Sequence, residues 1–342
     1  MRIACAQFQP VLGDLDANRR QVERQTAEAA GVDLLVFPEL ASSGYAFASR
    51  EEAMAAAESA RDGPFARLLV DLARRHRMFL VAGLCEKDGE RLYNTAILAG
   101  PDGVRGLYRK AHLFWDEKDI FEPGDTGLPV FDVAARDLVA GDVVAGDLVA
   151  SDLAAGGPAA SRLAASRLGP GRGDWRCRIG ILICFDWQFP EAWRVLALKG
   201  ADVVCHPSNL VLPGLAQRAV PLHAMMNRVF VILANRYGTE RHLSFTGESL
   251  LISPRGEELS RAPADADAIL IAEIDPAAAR DKWVTPRNDL IADRRPELYG
   301  EIVGQATEPG DSAGPPRAVQ GDPEAASRWD LPAPDATPGD PR

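Results

Sequence analysis

The chain has 342 residues, 46% of them apolar, and a formal net charge of −11, which permits one large domain or two ordinary ones with a full core. The acidic balance excludes a basic nucleic-acid surface, no apolar run is long enough to span a bilayer, and Met1-Arg2-Ile3-Ala4-Cys5-Ala6-Gln7 lacks the form of a signal peptide, so a soluble cytoplasmic protein is expected. The five cysteines, at 5, 85, 177, 184 and 205, contain no CxxC pair, which argues against a disulfide framework or a zinc knuckle and leaves at least one thiol free.

Strand-like and helix-like segments alternate from the N-terminus, predicting a layered α/β fold. Ile3 to Phe8 reads as a strand, and residues 16–30 as a helix ending at Gly31. Phe65, Leu68, Leu69 and Leu72 repeat at helical spacing before a strand from Phe79 to Leu84. Leu92 to Leu98 and Val104 to Arg109 flank Pro101-Asp102-Gly103 as a hairpin, and Ser249 to Ile252 with Ile269 to Ile274 are read as a second one around Pro254-Arg255-Gly256. Pro190 and Glu191 open a helix through Lys199 closed by Gly200, with Ala201 to Cys205 as the next strand.

Two segments stand apart. Residues 137–156 repeat with a period of five, with Asp137, Asp142, Asp147 and Asp152 in phase. That period builds neither a helical nor a strand face, so a surface excursion is expected. Residues 301–342 are rich in Pro, Gly and Asp and are expected to form a disordered tail. The expected organisation is one domain over 1–300, an insertion at about 134–173, and the tail.

Three reactive side chains sit at or just past the ends of strand-like runs: Glu39 after Leu34-Leu35-Val36-Phe37-Pro38, Lys110 after Gly106-Leu107-Tyr108-Arg109, and Cys184 after Ile179-Gly180-Ile181-Leu182-Ile183. Ligands bind outside the strand ends of open α/β sheets, so a carboxylate, an ammonium and a thiol can meet in one crevice. A thiol needs a base or a cationic setting to act as nucleophile. Glu39 suits the first, and Lys110 with the helix start downstream suits the second. Lys110 and the Phe185 N–H are suited to an oxyanion. That equipment fits a thiol hydrolase. His112, two residues from Lys110, would share its face on a continuing strand and is read as structural. Cys205-His206 is not read as a metal site, since adjacent strand residues point to opposite faces.

The strings around these residues resemble the nitrilase superfamily of carbon–nitrogen hydrolases. The resemblance rests on Leu35-Val36-Phe37-Pro38-Glu39-Leu40 with Gly44-Tyr45, on Tyr108-Arg109-Lys110-Ala111-His112-Leu113-Phe114, and on Gly180-Ile181-Leu182-Ile183-Cys184-Phe185-Asp186 with Phe189-Pro190-Glu191. Glu117-Lys118, His206-Pro207-Ser208-Asn209 and Gly247-Glu248-Ser249 add to it, and the ordered set spans about residues 1–300. The resemblance implies a four-layer α-β-β-α sandwich, no cofactor and no metal, and a homodimer or higher homo-oligomer. Carried over by position, Glu39 is the general base, Lys110 stabilises the tetrahedral intermediate, Cys184 forms the covalent adduct, and Glu117 helps position substrate or water. Tyr45, Phe114, Phe185, Trp187 and Asn209 are candidate pocket residues.

The string from Cys184 to Glu191 is similar both to the aliphatic amidase and carbamoylase branches and to an archaeal nitrilase-like group. The expected substrate is a small linear amide or nitrile, converted to its acid and ammonia through a thioester or thioimidate. The absence of arginine at 187 and 188 weighs against a carbamoyl amino acid, whose carboxylate favours a bidentate partner. An N-carbamoyl amine amidohydrolase and a catalytically silent binding module remain the alternatives. A redox role for Cys184 lacks a resolving cysteine nearby.

Overall fold

A computed structural model describes residues 1–138 and 173–304. The first half starts with β1 (Arg2–Gln7), α1 (Leu15–Glu28), β2 (Leu34–Val36), α2 (Arg50–Ala56), α3 (Pro64–His76) and β3 (Phe79–Asp88). It continues with β4 (Arg91–Gly100), β5 (Gly103–Arg109), the single turn α4 (Glu117–Ile120) and β6 (Val130–Ala134). The second half carries β7 (Arg176–Ile181), α5 (Pro190–Leu198), β8 (Val203–Ser208), α6 (Leu215–Asn227) and β9 (Phe230–Asn235). Then come β10 (Tyr237–Glu240), β11 (Leu243–Thr246), β12 (Leu250–Ile252), β13 (Glu258–Arg261), β14 (Ala268–Glu273), β15 (Trp283–Thr285) and β16 (Asn288–Asp289).

Two six-stranded sheets result, ordered β14-β1-β2-β3-β4-β5 and β13-β12-β9-β8-β7-β6. Their mixed character follows from the connections. Helical crossovers make β1-β2-β3 and β7-β8-β9 parallel, whereas short turns make β3-β4-β5 antiparallel. Strand alternation sorts the core into layers. Ile3, Cys5, Leu34, Val36, Phe79 and Val81 pack in one cluster with Ile179, Ile181, Val203 and Leu233 of the other sheet. Their neighbours Ala4, Ala6, Leu35, Phe37 and Leu80 pack with Val22 of α1 and Phe65, Leu69 and Leu72 of α3. Trp193 and Leu196 of α5 and Val220 and Ala224 of α6 cover the second sheet. This is the expected α-β-β-α order.

The helix ends follow local chemistry. Asp14 accepts from Ala17 N at 2.9 Å to cap α1, and Pro64 occupies the first position of α3. α5 begins at Pro190, and Gly200 past its end takes φ +83°. The first expected hairpin is present as β4-β5 around Pro101 and Asp102.

The second hairpin is corrected. Around Pro254-Arg255-Gly256 β12 pairs with β13, register Leu250↔Arg261, while β14 joins the other sheet as the antiparallel partner of β1, register Ala4↔Ile271. β13 is an exposed edge strand with a largely polar sequence, so the more apolar stretch at 269–274 drew the sequence assignment although it belongs elsewhere.

The chain divides into two compact units, Met1–Asp293 and Arg294–Arg342. Of the second, the described part holds a 3-10 turn at Pro296–Leu298 and the single-turn α7 (Gly300–Val303). The five-residue repeat beyond Leu138, and residues 305–342, lie outside the described residues. No described helix is long and apolar enough to cross a membrane.

Candidate active site

The three strand-end residues converge. Glu39 lies three residues beyond β2, Lys110 directly follows β5, and Cys184 lies three residues beyond β7. Lys110 Nζ donates to Glu39 Oε1 and to Glu117 Oε1, each at 2.7 Å, with the Lys110 and Glu39 side chains fully buried. Asn94 Nδ2 of β4 donates to the same Glu39 oxygen at 2.7 Å. The other oxygen, Oε2, is buried with no hydrogen-bond partner among the described residues. A carboxylate held by one oxygen and open at the other is prepared to accept a proton.

Glu117 is fixed by three donors. Besides Lys110, Tyr45 Oη–H reaches Oε1 at 2.7 Å, and the Phe114 N–H reaches Oε2 at 3.1 Å. Tyr45 is held in turn by Glu240, whose Oε2 accepts from the Tyr45 and Ala46 N–H groups at 2.7 Å each while Oε1 takes Arg236 at 2.8 Å.

Burial dominates the electrostatics. It pushes Glu39 up to about 7 against the opposing pull of Lys110, with Glu117 adding to the rise. Burial by itself would lower Lys110, but Glu117 and Glu39 outweigh it and hold the ammonium above its ordinary value. The Cys184 thiol is raised well above its usual range by burial and by Glu39, with Lys110 pulling the other way. At rest, one cation faces two carboxylates, and a thiolate would add a third negative charge. That crowding of negative charge favours the protonated thiol.

Cys184 opens a 3-10 turn, Cys184–Gln188, at φ +42°. A side chain in the left-handed region is disfavoured and must be held by its surroundings. Asp186 does part of this. Its Oδ2 accepts from Ile183 N and from Tyr108 Oη–H, both at 2.8 Å, and its Oδ1 faces His112 N at 3.2 Å and His112 Nδ1 at 2.7 Å. On the other side, His206 Nε2 meets the Cys184 carbonyl at 2.9 Å. The helix start stands where the sequence places it, with α5 beginning at Pro190, six residues after the cysteine. β5 ends at Arg109, so His112 is not on a continuing strand; its ring stacks on Phe189 at 3.6 Å.

The pocket candidates divide. Asn209 Nδ2 donates to the Glu39 carbonyl at 3.0 Å, and its backbone N–H faces the Cys184 thiol. Phe114 and Phe185 lie with ring centroids 5.1 Å apart. Trp187 is half-buried against the hydrophobic core and is tied through its backbone to His223, on the α6 side of the turn. Asn94, Asp186 and His206 escaped the sequence reading as site residues. Asn94-Thr95 interrupts an otherwise apolar strand, which is a local signal; Asp186 and His206 stand within strings that carry the family resemblance, but nothing local shows that they reach across the fold.

These residues lie within the region, 2–282, that matches the model of the carbon-nitrogen hydrolase family. The chain belongs to that family. A nitrilase of Pyrococcus abyssi is 39% identical over 87% of this chain and 99% of its own length. A citrullinase of Francisella tularensis is 29% identical over 84% of this chain and 92% of its own. Among solved structures, an amidase variant from Nesterenkonia sp. AN1 superimposes with a TM-score of 0.62 at 25% identity, covering 89% of this chain and all of that one. It carries the product of Michael addition of acrylamide at its active-site cysteine. The present chain is accordingly a nitrilase-superfamily hydrolase acting on carbon–nitrogen bonds, and the two-sheet architecture agrees with that membership.

Proposed function

We propose that the hydrolase converts a small linear amide or nitrile to its carboxylic acid and ammonia, with Cys184 as nucleophile, Glu39 as general base and Lys110 and Glu117 completing the site. The observation that carries this reading is the Glu39 carboxylate, anchored through Oε1 on Lys110 and Asn94 while buried Oε2 stays open within electrostatic reach of the thiol.

With an amide, the thiol proton passes to Glu39 as sulfur attacks the carbonyl carbon. The oxyanion meets the Lys110 ammonium and the Phe185 N–H. Collapse returns the proton from Glu39 to the departing ammonia and leaves a thioester. Water then gives a proton to Glu39 and attacks; collapse releases the acid, and the same proton restores the thiol. A nitrile gives a thioimidate first, and a first water expels ammonia from it to reach the same thioester. Glu117 accepts no proton in this sequence. It holds Lys110 and, through Tyr45 and Phe114, the wall of the pocket.

The reading assigns Tyr45, Phe114, Phe185, Trp187 and Asn209 to the substrate pocket, with Trp187 supported least. The Pyrococcus nitrilase favours the nitrile arm and the Nesterenkonia amidase the amide arm. The named citrullinase keeps an N-carbamoyl substrate as the second reading. A homodimer belongs to the same proposal and is supported by the exposed apolar side chains of Leu198 on α5 and of Leu222, Met225 and Met226 on α6. Ammonia release from a panel of small aliphatic amides, nitriles and N-carbamoyl amines tests the function. Cys184-dependent release from amides or nitriles supports it, and release from carbamoyl compounds alone transfers the support to the second reading.

A further inference from the structure

We propose that His206 positions the Cys184–Phe185 peptide unit from behind, so that the N–H of that unit is aimed at the developing oxyanion. The inference rests on the reading of Cys184 as nucleophile and deepens it with a positioning residue.

The geometry is direct. β8 lies beside β7 in the sheet, and from it the buried His206 ring places Nε2 2.9 Å from the Cys184 carbonyl oxygen. A carbonyl only accepts, so Nε2 carries the proton and the tautomer is fixed. In a trans peptide, the C=O of one residue and the N–H of the next belong to one plane and point in opposite directions. Holding the Cys184 oxygen therefore fixes the direction of the Phe185 N–H. Cys184 occupies the left-handed region at φ +42°, where the peptide would otherwise relax. A hydrogen bond into the carbonyl also polarises the unit and strengthens its N–H as a donor.

The ring is itself held. Trp193 of α5 meets it edge-on, with centroids 5.5 Å apart, and Trp193 is stacked on His223 of α6 at 4.9 Å. Burial pushes His206 down to about 4, so it stays neutral at working pH. The alternative is a histidine that merely fills the core. Against it, Nδ1 is buried with no partner among the described residues. A side chain kept at that cost for its Nε2–H alone points to a specific use of that hydrogen bond.

Two thiol reagents separate positioning from packing. p-Nitrophenyl acetate acylates the sulfur through a tetrahedral oxyanion. Methyl methanethiosulfonate transfers a thiomethyl group to the thiolate and expels methanesulfinate, with no oxyanion on carbon. Both rates are measured on the full chain for wild type, His206→Leu and His206→Gln, with Cys184→Ala as background. The Leu variant should acylate about tenfold to a hundredfold more slowly, while its thiomethylation stays near wild type. The Gln variant, whose amide N–H reaches the same carbonyl, should recover most of the rate. If the Leu variant does not fold, His206→Asn, whose amide stops short of the carbonyl, replaces it. Equal slowing of both reactions, or wild-type acylation without the ring, overturns the proposal. Absence of Cys184-dependent acylation in the wild type overturns instead the nucleophile reading beneath it.

Discussion

The Asp186 carboxylate, two residues past Cys184, accepts the phenolic hydrogen bond of Tyr108, two residues before Lys110, at 2.8 Å. The same carboxylate receives His112, two residues after Lys110. The turn that carries the thiol and the strand end that carries the ammonium are thus tied together on both flanks of the lysine. Asp186→Ala should lose about 2–5 kcal/mol of stability, since Ile183 N–H and Tyr108 Oη–H are left buried without their acceptor. Tyr108→Phe removes two bonds, the one donated to Asp186 and the one accepted from Ala111 N at 3.1 Å, but leaves Asp186 its other donors, and should cost only about 1–2 kcal/mol. Urea unfolding of the two variants measures both, and equal losses would show that Asp186 is not the hub.

Lys110→Met should lose both activity and stability, because it leaves Glu39 and Glu117 facing each other buried and without their cation. Breaking such a pair costs about 3–5 kcal/mol. The sign of the pH effect follows from linkage. Without Lys110 the folded carboxylates hold protons at pH values where the unfolded chain has released them, so the stability of the variant falls as pH rises above the ordinary glutamate value. Melting temperatures of the variant at pH 5 and pH 8 check this, and a higher value at pH 8 would contradict it.

Activity in the wild type should have an acid limb near pH 7. Glu39, raised to about 7 by burial, must be ionised to take the thiol proton. Below that value it is protonated, and kcat/KM should fall about tenfold per pH unit. The limb belongs to the Glu39, Lys110, Glu117 and Cys184 cluster as a unit. Glu39→Gln should lower kcat/KM by about 10²- to 10⁴-fold and abolish the limb in the residual rate. A pH–rate profile that is flat from pH 5 to 8 in the wild type would oppose the assignment.

Tyr45→Phe separates a pocket wall from a catalytic group. Its hydroxyl touches Glu117 and not the open oxygen of Glu39, so the variant should keep kcat within about tenfold and change mainly KM. Steady-state kinetics on a responsive amide decide it; a collapse of kcat with unchanged KM would place Tyr45 in the chemistry.

The chemistry was more legible than its support. Glu39, Lys110 and Cys184 stand at or just past the ends of strand-like runs, and the strings around them carry the family resemblance; the fold brings the three together. Trp187 stands close to the cysteine in sequence, yet the 3-10 turn sends it against the core. Asp186, Asn94 and His206 reach their partners across 78, 55 and 22 residues of chain, and local pattern carries no information about such pairings. The misassigned hairpin has the same origin: β13 is polar because it lies at an edge, and β14 is apolar because it pairs with β1 in the other sheet.

We propose that the repeat is an insertion the hydrolase can lose. Its flanks are adjacent, since Ala134 pairs with Arg176 and Ala135 N donates to the Trp175 carbonyl at 3.0 Å. Replacing 139–172 by a four-residue turn should therefore leave activity intact and raise stability by up to about 2 kcal/mol, the closure entropy of roughly three halvings of loop length. Denaturant melts of the shortened protein measure this, and a loss of stability would mean that the segment packs as structure.

The most direct test of the central claim is the intact mass of the hydrolase, acid-quenched during turnover of a responsive amide or nitrile, followed by peptide mapping. The account predicts an added acyl or imidoyl group on the peptide carrying Cys184 and neither adduct nor ammonia release in Cys184→Ala. An adduct on another residue, or turnover that survives in Cys184→Ala, would contradict it.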